Sequence, residues 1–224
     1  MLDVYRDVAA HSAAMNMAID EAMLEYATIP LIRFYRWQSP ALSFGYFGRF
    51  TDVASYQRER DLVRRWTGGG IVFHGEDLTY SILIPANDAA FAELSMWIYE
   101  KIHRALCDGL SRNGVDAELV GPARCAHRTP QRGVPTYSCF ANPVRADVMI
   151  NGRKVAGAAQ RRTRRGLLQQ GSIQGIDLGD DLAQQFAREL SVDRSERKLD
   201  AEILNRARDL AEQKYGTDAW LRKR

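Results

Sequence analysis

The residue types able to do chemistry in this 224-residue chain are few and widely spaced. Gly68, Gly69 and Gly70 form a run between LVRRW and LTYSILIP, two segments with the alternation of strands, with Arg65 before the run and His74 after it. Such a run lets the backbone take positive φ and bring N–H groups against a polar or anionic group. It equally makes a plain hairpin or bulge. Neither the P-loop pattern nor GxGxxG is present. His74 suits either a structural hydrogen bond or a site role. Lys154 follows the Asn151-Gly152 pair and is either a solvated edge residue or aimed into the space left by Ala156, Gly157, Ala158 and Ala159. Cys107 sits inside a helical pattern and reads as a small buried hydrophobe, whereas Cys125, beside Arg124 and two residues from His127, has the charge environment that most favours a thiolate. Cys139 lies in TYSCFANP, a turn-like segment. Spacing alone does not choose among the cysteines, and no set of residues has metal-ligand spacing.

These groups need elements to hold them. HSAAMNMAIDEAMLEYA carries apolar residues at helical spacing with Ser12 as N-cap, and LIRFYRW and ALSFGY read as short strands. DVASYQRERD predicts a short polar helix. AFAELSMWIYEKIHRALCDGLSRNG predicts the longest helix, with Leu94, Trp97, Ile98, Ile102, Ala105, Leu106 and Leu110 facing the sheet and Gly114 ending it. VDAELV is a further strand, and residues 121–138 form a loop without periodicity, of the length that binds something or moves. Asn151-Gly152, between two extended segments, is a two-residue hairpin signal, because both turn positions need positive φ. With a second reversal at Arg164-Arg165-Gly166, residues 147–173 predict a three-stranded meander. Arg161, Arg162, Arg164 and Arg165 make a basic turn, solvated or able to dock an acidic partner or a phosphate.

Composition bounds the reading. With 46% hydrophobic residues the chain fits one large domain, and a net charge of +3 is too weak to argue for nucleic acid. Three unpaired-looking cysteines suit a reducing compartment. The first residues do not form a signal peptide, and no segment approaches the ~20 apolar residues of a membrane span. A cytoplasmic protein is expected.

NMAIDEAML, SPALSFGYFGRF, RRWTGGGIVFH with DLTYS, SCF, and GRKVAGAAQRR followed by LLQQGSI stand in an order that resembles the lipoate-protein ligase A and octanoyltransferase branch of the biotin/lipoate protein ligase family. The likeness runs over about residues 12–175. It implies one α+β catalytic domain over 1–224, a mainly antiparallel sheet flanked by helices, a channel for a medium-length acyl chain, a short helical portion from about 180, and no accessory domain. It assigns Arg65, Gly68, Gly69, Gly70 and His74 to the wall of the acyl or acyl-adenylate site, Lys154 to the reacting carbonyl, and Gly157, Ala158 and Ala159 to the adjoining strand. Cys139 matches the acyl-accepting cysteine of the octanoyltransferases. Family members often carry Ser where Ala158 stands, a departure with little expected consequence.

Two chemistries compete within this family. In a transferase, Cys139 takes an octanoyl group from acyl carrier protein and passes it to a lysine of a lipoyl domain or of glycine cleavage H protein, with no ATP. In a ligase, lipoate and Mg-ATP form lipoyl-AMP and Cys139 is dispensable. DLTYS and SCF resemble the transferases, and the short segment after GSI leaves little room for the accessory domain of many ligases. A third reading is a non-catalytic carrier-docking protein presenting its arginines. The joint presence of Lys154, His74, the glycines and Cys139 argues against it.

Overall fold

The computed structural model describes residues 1–121, 143–177, 179 and 181–223. β1 (Leu2–His11) leads into α1 (Ala13–Tyr26), whose N-cap Ser12 accepts from the Met15 N–H at 3.3 Å. β2 (Leu31–Trp37), β3 (Ala41–Phe44), β4 (Asp61–Arg64), β5 (Ile71–His74) and β6 (Leu78–Pro85) follow, then α2 (Ser95–Arg112) and β7 (Glu118–Leu119). After residue 142 come β8 (Val148–Ile150), β9 (Arg153–Arg162), β10 (Gly166–Ile173), α3 (Leu182–Leu190), β11 (Arg194–Arg197), α4 (Ala201–Leu210) and α5 (Asp218–Leu221). The strands form an eight-stranded, mainly antiparallel sheet in the order β11-β1-β2-β6-β10-β9-β8-β7 and a three-stranded sheet β4-β3-β5.

β2 shows why the large sheet is central. Every residue of it except Arg36 is buried. Leu31, Tyr35 and Trp37 join the core formed with α1 and α4, and the intervening Ile32 and Phe34 join the core formed with α2 and α3. Helices therefore cover both faces, and each fully buried aliphatic side chain contributes about 1.5–3 kcal/mol. Among the described residues, no helix is long and apolar enough to cross a membrane.

Local signals held well. Asn151 and Gly152 take φ of 50° and 75°, Gly114 takes 76° after α2, and β8, β9 and β10 make the meander. Three expectations need correction. DVASYQRERD forms a 3₁₀ turn at Ala54–Tyr56 with no α-helix, because its side chains bury only Val53 and give a helix no apolar stripe to dock. The long helix begins at Ser95: residues Ala89–Ala92 form a separate 3₁₀ turn, Glu93 and Leu94 are extended, and Leu94 and Trp97 are 71% and 64% exposed. The region after residue 180 is not only helical, since β11 pairs in parallel with β1.

Arg33 on β2 has no exposed surface, and its guanidinium is fully engaged. It donates to Asp7 at 2.7 Å, Asp20 at 2.8 Å and the Asn16 side chain at 2.7 Å, tying β2 to β1 and α1. His103 on α2 is equally buried. Its Nδ1–H donates to the Ala146 carbonyl at 2.6 Å and its Nε2 accepts from Tyr80 at 2.8 Å. Burial pushes its pKa down to about 4. The native state therefore binds fewer protons than the unfolded state between pH ~6.5 and ~4, so stability is full above that window and falls as pH drops through it. Urea melts at pH 7 and 4.5 are expected to differ by about 2–3 kcal/mol more in the wild type than in His103→Gln. An equal difference in both proteins would remove His103 from the account.

Candidate active site

The glycine run links β4 to β5, and both pair with β3 between them. It is a turn held from inside. Arg65, buried at 6% exposure, donates through Nη2 to the carbonyls of Gly68 and Gly70 at 2.9 and 2.8 Å, and Gly69 takes φ of 84°. A Cβ on Gly45, just past β3, would lie 2.0 Å from the Gly69 oxygen and 2.6 Å from the Gly68 oxygen. Only glycine at 45 lets β3 and the turn approach so closely.

Beside this turn is a cavity of about 660 Å³, lined from both sheets. Phe44, Phe47, Val53, Ile71, Trp37 and Met17 supply an apolar wall. Arg65, Gly69, Gly70, His74, Lys154, Gly157, Ala158 and Ala159, all expected from the sequence, lie in its lining. Gly68 does not.

Lys154 points inward from β9. A Cβ on Gly157 would fall 2.6 Å from its Nζ, so the absent side chain is what makes room for the ammonium. Nζ lies 2.7 Å from Asp147 Oδ2, with the lysine side chain 6% exposed and the aspartate wholly buried. Asp147 is fixed in turn: Oδ1 accepts from Tyr99 at 2.6 Å and Oδ2 from the Val144 N–H at 2.7 Å, and the Tyr99 oxygen accepts from the Ala158 N–H at 3.0 Å. The direction of Lys154 is thus set by residues of α2, the segment before β8, and β9 itself.

His74 stacks on Trp37 with ring centroids 4.0 Å apart. Its Nδ1 lies 2.7 Å from Asp77 Oδ2 and its Nε2 2.7 Å from Ser43 Oγ. Burial lowers the His74 pKa below its ordinary value, against the pull of Asp77. Burial alone would raise Asp77, but hydrogen bonds from His74, Gly75 and Ser172 outweigh it and hold the carboxyl below the usual range. Sequence reasoning passed over Ser43, Gly45, Asp77 and Asp147. The three-residue spacing of His74 and Asp77 is a readable signal; the contacts of Ser43 and Gly45 are long-range, and Asp147 meets Lys154 across the hairpin.

Cys139 and Cys125 lie outside the described residues, as does nearly all of the loop from 121 to 138. Cys107 is buried, and loss of solvation pushes its thiol up to about 12, so it is inert as a nucleophile. The basic turn is largely engaged within the fold. Arg161 donates to the Trp66 carbonyl at 3.2 Å, Arg162 to the Glu93 carbonyl at 2.7 Å, and Arg165 pairs with Glu25 at 2.9 Å.

The family model described as the lipoyl protein ligase A/B catalytic domain matches residues 12–211. Octanoyltransferase LipM of Staphylococcus aureus is 35% identical over 180 residues, 76% of this chain and 65% of that protein. LipM of Bacillus cereus is 36% identical over 171 residues, 72% of this chain and 61% of that protein. The chain spans a little under two thirds of the length of these curated relatives. Among solved structures, a lipoate-protein ligase A bound with ATP superposes with a TM-score of 0.76 at 21% identity, over 98% of this chain and 97% of that one. The bipartite lipoate protein ligase with its E2 lipoyl domain from Thermoplasma acidophilum gives 0.73 at 20% identity, over 97% and 94%. At such identities the structural likeness speaks for the fold. The motifs, the fold and the family match agree, and the chain belongs to the lipoyl protein ligase A/B catalytic domain family.

Proposed function

We propose that this chain is an octanoyltransferase of protein lipoylation, moving an octanoyl group from acyl carrier protein through a thioester on Cys139 to a lysine of a lipoyl domain or glycine cleavage H protein. The observation that carries the reading is the apolar cavity with Lys154, Arg65 and His74 gathered in its wall. Its volume of about 660 Å³ lies within the ~300–1,000 Å³ of small-molecule sites. The relatedness to octanoyltransferases LipM favours the thioester route over the ATP-dependent one.

In this scheme the Cys139 thiolate attacks the carbonyl carbon of the carrier thioester, the C–S bond to the carrier breaks, and the carrier thiolate takes up a proton. The ε-amine of the acceptor lysine then attacks the new thioester, forming the amide and releasing Cys139. Lys154 supplies a fixed positive charge for the oxyanion of each tetrahedral intermediate, an electrostatic role that its pairing with buried Asp147 prepares before substrate arrives. No adenylate forms, so neither ATP nor Mg takes part.

The test incubates purified protein with octanoyl-acyl carrier protein in the absence of ATP, followed by intact-mass and peptide mass spectrometry. A hydroxylamine-labile octanoyl adduct on Cys139 is expected, together with loss of octanoyl transfer in Cys139→Ser. If no adduct forms and Cys139→Ser still modifies a lipoyl domain when given lipoate and Mg-ATP, the protein is a ligase.

A further inference from the structure

Two side chains of the cavity wall, Ser43 and His74, form with Asp77 a connected series that the cysteine route does not require. β3 and β5 are antiparallel with Ser43 opposite Val72, so His74, two residues further along β5, lies diagonal to Ser43 on the same face. Asp77 closes the turn after β5. Its Oδ2 accepts from His74 Nδ1 at 2.7 Å, Thr79 at 2.9 Å and Ser172 at 2.7 Å, and its Oδ1 from the Gly75 N–H at 3.0 Å.

Counting donors assigns the protons. A carboxylate surrounded by donors only accepts, so His74 carries its hydrogen on Nδ1 and offers the Nε2 lone pair. Arg65 Nη1 donates to Ser43 Oγ at 2.7 Å. The one hydroxyl hydrogen of Ser43 is then the hydrogen shared with His74 Nε2 at 2.7 Å. A serine hydroxyl has two lone pairs, of which Arg65 takes one, and Ser43 lines the cavity. Stacking on Trp37 locks the imidazole plane. Nucleophile, base and orienting carboxylate stand in hydrogen-bond order beside a guanidinium that favours a developing alkoxide.

We propose that Ser43, with His74 as base and Asp77 orienting it, is a second nucleophile of this cavity and gives the chain a serine acyl-hydrolase activity toward fatty acyl esters and thioesters. The inference rests on the reading that the cavity takes an acyl chain and is independent of Cys139. Ser43 Oγ attacks the acyl carbon as its proton passes to His74 Nε2. The bond to the leaving oxygen or sulfur breaks, and His74 returns the proton to the leaving group. Water then attacks the acyl-serine, giving one proton to His74, which hands it back to Ser43 as the fatty acid departs.

The experiment treats the full chain with an alkyl fluorophosphonate and maps the adduct by peptide mass spectrometry, alongside hydrolysis of p-nitrophenyl octanoate. A single phosphonyl adduct on Ser43 is expected. In a Cys139→Ala background, which removes the thiol route, hydrolysis is expected to fall by about 10³-fold in Ser43→Ala and in His74→Gln, with thermal melts confirming that each variant is folded. An adduct elsewhere, no adduct at all, or unchanged hydrolysis in folded Ser43→Ala overturns the proposal. Because the wild-type adduct decides by itself, a variant that fails to fold does not block the test. The two readings also fail separately: an octanoyl thioester on Cys139 with no label on Ser43 sinks this one alone, and a Ser43 label without a Cys139 thioester sinks only the transferase.

Discussion

Lys154→Met is expected to lower octanoyl transfer by about 10²–10³-fold, the usual loss when one preorganised oxyanion donor is removed. The substitution also strands Asp147, which has no exposed surface, and leaving one member of a buried ion pair unpartnered costs about 3–5 kcal/mol. Chemistry and folding are therefore confounded in the single variant, and the pair of sites separates them. Asp147→Asn in the Lys154→Met background removes the stranded charge, while an amide can still accept from Tyr99 or from the Val144 N–H, the two fixed donors of that pocket. The double variant is expected to regain most of the lost stability in urea melts and none of the activity. Recovery of transfer in the double variant would mean that Lys154 acts only as a structural counter-ion. Asp147→Asn alone is expected to fall between wild type and Lys154→Met in activity, because Lys154 remains but loses the carboxylate that aims it.

Gly45→Ala is the second change with a large expected effect, and it involves no functional group. The added methyl meets two carbonyl oxygens of the glycine turn at 2.0 and 2.6 Å, and backbone cannot swing aside as a flexible side chain would. Either β3 or the turn must move. Overpacking of this kind costs about 1–3 kcal/mol, and an ångström of displacement at a reacting centre costs about 10²-fold in rate. The Arg65 hydrogen bonds to Gly68 and Gly70 would be the first lost, and Ser43, next-but-one to Gly45, would move with β3. Gly68→Ala supplies the contrast: no heavy atom lies within 4 Å of its Cβ position, so its stability should stay within about 0.5 kcal/mol of wild type. Denaturant melts on both variants and kcat/KM on Gly45→Ala are the measurements. Equal destabilisation by the two substitutions would show that the close approach of β3 to the turn does not matter.

How much of this was legible beforehand varied with the range of the interaction. The start of α1, the Asn151-Gly152 hairpin and the end of α2 at Gly114 were read correctly, since a cap, a positive φ and a helical stripe are properties of a few neighbouring residues. The start of α2 was misread for the same reason in reverse. Leu94 and Trp97 continue the apolar period of the helix, yet Leu94 lies before its first turn and both are exposed. Apolar spacing reports what a helix would bury if it formed there, whereas the extended Glu93 and Leu94 decide where it forms. The polar segment before β4 failed likewise, because 3₁₀ turns need no stripe.

The sequence by itself determined which residues are eligible for chemistry, where the backbone must turn, and, through five ordered motifs, the family. The role proposed for Cys139 rests on its motif alone. Only the tertiary structure decided which of those residues meet. Asp147, just before β8, and Lys154 on β9 are seven positions apart across a hairpin, His74 reaches Ser43 across 31 positions, and Gly45 approaches Gly69 across a packed turn. These approaches are set by strand register and by the absence of a Cβ at two glycines. Register is fixed by burying the two faces of a sheet at once, a condition on many distant residues that no short window of sequence contains.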